Sequence, residues 1–83
     1  MRDLAGKVAF ITGGASGMGL GMARAFAGEG MKLMLADVNE ARLGEVEQEF
    51  KDKGVDVATI VCDVTKLEQV NAAADATVER FGK

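Results

Sequence analysis

Four of the chain's eleven glycines fall within Thr12-Gly13-Gly14-Ala15-Ser16-Gly17-Met18-Gly19, and those at 13, 17 and 19 read GxxxGxG. A glycine directly after a strand lets the backbone bend sharply. One at a helix start lets the main chain approach a pyrophosphate with no Cβ between them, and a third lets the helix pack close to the strand. The N–H groups at the open end of that helix, at the positive end of its dipole, then face phosphate oxygens. The chemistry implied is anion binding rather than bond breaking. A P-loop is excluded, because Gly19 is followed by Leu20 and Gly21 where Lys and Ser/Thr are required. A membrane-helix GxxxG is excluded as well, since Arg24, Glu29 and Lys32 interrupt the apolar stretch 15–36. A simple tight turn stays open on the glycine pattern alone.

Two acids follow at the ends of apolar runs. Asp37 lies 18 residues after Gly19, near the offset of about 20 at which an acid meets the adenosine ribose in dinucleotide folds. Its carboxylate can accept from both ribose hydroxyls, whereas a 2′-phosphate would be repelled by at most about 4 kcal/mol at 4 Å in an effective dielectric near 20. Val38 and Asn39 supply no cation in compensation, so NAD is expected over NADP. The competing reading of Asp37 is a solvated turn aspartate. Asp63, before Thr65, has an equally plain alternative as an acid that opens a turn.

These residues need a frame, and the hydrophobic period supplies it. Residues 7–12 form a short apolar run expected to be a strand buried on both faces. Residues 17–28 place Leu20, Ala23, Phe26 and Ala27 at helical spacing, with Gly30 as a stop. A second strand is expected over 31–36, ended by Asp37. Asn39 then caps a helix carrying Leu43, Val46 and Phe50 and closed by Gly54. A third strand is expected over 55–62. Thr65 and Glu68 read as a capping box, before a helix whose apolar face is Leu67, Val70, Ala74, Val78 and Phe81, with Gly82 as its end. Strands alternating with amphipathic helices imply parallel pairing through right-handed crossovers. The expected fold class is α/β: the N-terminal half, β-α-β-α-β-α, of a Rossmann-like doubly wound parallel sheet in strand order 3-2-1. In the full order 3-2-1-4-5-6 the first strand is central. Here its outer edge, residues 8–11, has no partner, a misfolding hazard that points to a fragment or to completion by another polypeptide.

The stretch from Thr12 to Gly19 resembles the TGxxxGxG signature of the short-chain dehydrogenase/reductases. The likeness runs from Leu4-Ala5-Gly6-Lys7-Val8-Ala9 through Asp63-Val64 to Arg80-Phe81-Gly82-Lys83. It implies that residues 1–83 are the N-terminal NAD-binding half of a Rossmann-fold domain. Within it, Ser16 and Met18 would contact the pyrophosphate side of the cofactor, in the cofactor-binding turn formed with Gly13, Gly17 and Gly19, and Asp37 would meet the ribose. Asp63 and Val64 would recognise adenine, the acid accepting from the exocyclic amine and the next backbone amide donating to the ring. Ser16 stands where NADP-preferring relatives often carry a basic residue, which again favours NAD. The family transfers hydride between nicotinamide and an alcohol or carbonyl substrate, using a Tyr, a Lys four residues on, a Ser and an Asn. This chain has no tyrosine and lacks the Asn-Asn-Ala-Gly motif, so no catalytic residue is carried over. The 83 residues alone are expected to be inactive and the parent polypeptide active, and kinship implies a homo-oligomer. A non-catalytic nucleotide-binding or interaction module, complete at this length, is the alternative.

Composition narrows the partners. Thirteen acidic against ten basic residues give a net charge of −3 with no basic block, which argues against nucleic acid or an anionic membrane surface. With no histidine and one cysteine, no transition-metal cluster is expected. Cys62 reads as a small buried hydrophobe rather than a reactive thiol. The five methionines read as core filling, and the charges at 45, 47, 49 and 51–53 as the wet face of a helix. No targeting segment is recognised before the first strand, and a soluble, cytoplasmic protein is expected.

Overall fold

The computed structural model describes residues 6–15, 17–63 and 65–82. The elements run β1 (Val8–Thr12), α1 (Gly17–Gly28), β2 (Lys32–Asp37), α2 (Glu40–Asp52), β3 (Val57–Val61) and α3 (Leu67–Phe81). The strands form one parallel sheet in the order β1-β2-β3, with Thr12 opposite Ala36 and Asp37 opposite Val61. Parallel pairing brings the C-terminal ends of all three strands to a single edge of the sheet. The turns that carry Gly13, Val38 and Asp63 therefore emerge on that side.

Side chains alternate across the sheet, and the alternation divides the core in two. Ala9, Ile11, Leu33, Leu35 and Val57 face α1 and α2 and pack against Leu20, Ala23, Leu43, Val46 and Phe50. Phe50 is among the largest fully buried side chains, and burying one such ring stabilises by about 1.5–3 kcal/mol. The Asn39 side chain accepts from Arg42 N at 3.0 Å and caps α2. Arg24 of α1 and Glu49 of α2 close a two-pronged ion pair, Nε–Oε2 and Nη2–Oε1 both at 2.9 Å. The guanidinium, mainly through those hydrogen bonds, holds the Glu49 carboxyl below its usual range.

The other face is thinner. Ala36, Cys62 and Ala73 form its small cluster, flanked by Ile60 and Val70. Since α3 lies over β2 and β3, nothing among the described residues covers the second face of β1. Phe10 is 38% exposed, so β1 is buried on one face, not on both as its apolar run suggests. The buried side of α3 is partly displaced from the expected one: Phe81 is buried as expected, but Ala73 and Thr77 are buried as well, while Leu67 and Val78 are 71% and 54% exposed. Thr77 can occupy the core side because its hydroxyl donates to the Ala73 carbonyl at 2.8 Å. The expected capping box is absent. The helix is capped at Lys66 without a side-chain bond, so Thr65 stands one residue before the cap, and the Thr65 amide, which a capping-box glutamate would accept from, donates to Asp63.

No helix among the described residues is long and apolar enough to cross a membrane.

Candidate functional site

The β1–α1 turn begins at Gly13, with φ +65°, and ends at Gly17, with φ +53°. Both lie in the left-handed region that side chains disfavour. Apart from the adjoining backbone and chain neighbours, no described heavy atom comes within 4 Å of where a Cβ would stand on either residue, so the main chain faces open space. Gly19 is the reverse case. It is buried, and a Cβ there would overlap the Gly13 carbonyl oxygen and lie 2.7 Å from the carbonyl carbon. The third glycine therefore packs the helix against the turn itself. Met18 is 83% exposed. The first amides of α1 have no partner within the helix and stand at its positive end.

Two turn residues that spacing alone did not single out fix this geometry. Gly14 sits on the sheet: a Cβ would press on Leu35 Cβ at 3.0 Å, and the Gly14 amide donates to the Ala36 carbonyl at 3.2 Å. The Ala15 amide donates to Asp37 Oδ2, also at 3.2 Å. Asp37 Oδ1 accepts from Asn39 N at 3.1 Å. The acid thus braces the glycine turn from the neighbouring strand, and each oxygen keeps a second lone-pair direction for a hydroxyl donor.

At the end of β3, the Cys62 amide donates to the Asp37 carbonyl at 2.9 Å and carries the sheet pairing one step past the strand. Asp63 Oδ1 accepts from Thr65 Oγ1 at 2.7 Å and from Thr65 N at 2.9 Å. These bonds, the hydroxyl's first, hold the carboxyl below its ordinary range. The Asp63 amide donates to Gln69 Oε1 at 2.8 Å. Gln69 also escaped the sequence reading; its position three residues past Lys66 is the signal that would have found it, once the cap is placed there. Cys62 is 2% exposed and free of any disulfide.

Thr12, Gly13, Asp37, Val38, Cys62 and Asp63 together line an open cleft of about 340 Å³. The structure brings Gly13, Asp37 and Asp63 to one cavity, with Gly17 and Met18 at the turn's exposed far end and Gly19 beneath it. Ser16 and Val64 lie outside the described residues. The lining presents two carboxylates and no cation. Such a donor and acceptor set suits hydroxyls and an amine, with phosphate left to backbone amides.

Known proteins resemble this chain in sequence and in fold. The family model described as short chain dehydrogenase matches residues 7–83. The 2,5-dichloro-2,5-cyclohexadiene-1,4-diol dehydrogenase LinX of Sphingobium indicum is 48% identical over 79 residues, 95% of this chain and 32% of that protein. The CLA biosynthesis dehydrogenase/reductase of Lactiplantibacillus plantarum is 41% identical over 83 residues, all of this chain and 29% of that protein. A crystal structure of a short chain dehydrogenase/reductase from Burkholderia phymatum, in complex with NAD, superposes with a TM-score of 0.96 at 44% identity, covering 100% of this chain and 30% of that one. The chain thus spans about a third of the length of these relatives, and its strands and helices match the N-terminal, Rossmann-like half of their fold. With the family match extending over residues 7–83, the chain belongs to the short chain dehydrogenases.

Proposed function

We propose that residues 1–83 are the NAD-binding half of a Rossmann domain in an oxidoreductase that moves hydride between nicotinamide and an alcohol or carbonyl substrate. The observation that carries this is the joining of Asp37 to the glycine turn: one carboxylate braces Ala15 and borders the same cleft as Gly13 and Asp63. In this reading the α1 amides at Gly17 and Met18, with Ser16, hold the pyrophosphate. Asp37 accepts from the ribose hydroxyls, and Asp63 with the Val64 amide engages adenine. Gly19 contributes by packing.

The fit to the group rests on the chain's own atoms. Gly13 and Gly17 leave open the space that a Cβ would fill, and the acceptors stand where sugar and amine donors would arrive. When bound, the nicotinamide supplies the hydride chemistry. The residues described here bind and orient its far end. With no tyrosine in the chain, the proton donor to the reacting oxygen belongs to another part of the protein, and the 83 residues alone are inactive. NAD is preferred to NADP because Asp37 faces the 2′ position with no cation in the cleft lining. The Burkholderia phymatum relative, whose structure is a complex with NAD, supports the binding of a nicotinamide dinucleotide. A homo-oligomer and a cytoplasmic location follow from kinship with the family, and neither nucleic acid nor membrane is a partner in this reading.

The test compares NADH and NADPH dissociation constants for the protein that carries these residues in full, as wild type and as Asp37→Ala. Wild type should bind NADH tighter by roughly tenfold or more, an energy of about 1.4 kcal/mol. The variant should weaken both, because Ala15 loses its acceptor, and should bring their ratio near one. A wild-type preference for NADPH, or a ratio untouched by the substitution, overturns the role given to Asp37.

A further inference from the structure

We infer that Gln69 and Thr65 are positioning residues for adenine recognition, which rests on the role given above to Asp63. The Gln69 side chain reaches back from the first turn of α3 and accepts from the Asp63 amide at 2.8 Å, in a partly buried setting. Thr65 takes Asp63 Oδ1 with two donors at once, hydroxyl and amide. One group fixes the backbone of Asp63 and the other fixes the rotation of its carboxylate. Among the described residues nothing bonds Oδ2, and Asp63 borders the cleft. A carboxylate held at one oxygen presents the other in a defined direction, which an exocyclic amine can use. Thr65 is exposed and Gln69 only partly buried, so neither is chiefly a core-packing residue. The Gln69 bond does not serve the first-turn amides of α3, the usual task of a polar side chain near a helix start. It is spent on the residue that faces the cleft.

The test uses NADH and its hypoxanthine analogue, in which a carbonyl oxygen replaces the exocyclic amine, bound to the full protein and followed by nicotinamide fluorescence. Wild type should prefer NADH. Gln69→Leu and Thr65→Val should each reduce that preference by roughly fivefold, the value of one net hydrogen bond. Thr65→Ser, which keeps the hydroxyl, should retain it. Equal weakening of both ligands, with the ratio unchanged, is what a merely structural role produces and overturns the inference. So does a preference retained in both Gln69→Leu and Thr65→Val. Absence of any preference in wild type removes the adenine role of Asp63 itself, and the positioning role with it.

Discussion

At the β1–α1 turn the geometry depends on atoms that are missing, the Cβ atoms of Gly13, Gly17 and Gly19, whereas at the β3–α3 turn it depends on side chains, those of Asp63, Thr65 and Gln69. Both turns leave the same edge of the sheet and flank one cleft. The first suits an anion whose charge is spread over several oxygens, which convergent backbone amides can hold. The second suits a flat ring with discrete donors, for which a carboxylate must be aimed. Asp37 stands between them and serves both kinds of contact, bracing a backbone amide while keeping free lone pairs. Damage should accordingly be steric and nearly complete at the first turn, but graded and ligand-specific at the second.

The largest effect is expected at Gly19. In Gly19→Val the new side chain collides with the Gly13 carbonyl, so the turn must shift outward. Overpacking of this kind costs about 1–3 kcal/mol of stability, read by urea denaturation. NADH and NADPH binding should both be lost, because the amides of the turn no longer converge. Wild-type affinity in this variant would break the contrast between the two turns.

A much smaller effect is expected behind the first turn, where Arg24 and Glu49 tie α1 to α2. Exposed ion pairs contribute little, so Glu49→Gln should lower the thermal midpoint by no more than a few degrees and leave NADH affinity unchanged. Its pH dependence has a fixed sign. The Glu49 carboxyl titrates below its ordinary 4.5 in the folded protein. The stability it adds is therefore fully present above that value and is lost as pH falls through the lowered one. Glu49→Gln should remove that part of the acid limb, and a limb identical to wild type would show that the tie holds nothing.

Much of the frame was legible because its signals were local and agreed with one another. Leu43, Val46 and Phe50 mark the buried side of α2, with Asn39 as its cap, and the structure has them there. The same holds for Leu20 and Ala23 in α1. In α3 the signals conflict. Phe81 is buried as its place on the apolar face implies, yet the other buried positions are Ala73 and Thr77 rather than the more apolar Leu67 and Val78, and Thr77 reaches the core by returning its hydroxyl to the helix backbone. Composition cannot reveal that internal bond. Thr65 and Glu68 spell a capping box, but the cap falls one residue later, at Lys66, and the Thr65 amide and hydroxyl donate to Asp63 instead. At the cleft, the places of Gly13, Asp37 and Asp63 follow from their standing at strand ends. The bonds from Ala15 to Asp37 and from Asp63 to Gln69 join residues 22 and 6 apart, and no period or spacing rule carries them.

The most direct test is a crystal structure, with NAD bound, of the protein that carries these residues in full. The diphosphate is expected over the first amides of α1 at Gly17 and Met18, the adenosine ribose within hydrogen-bonding distance of Asp37, and the adenine between Val38 and Asp63. A diphosphate bound away from the β1–α1 turn, or a ribose with no contact to Asp37, would contradict the account.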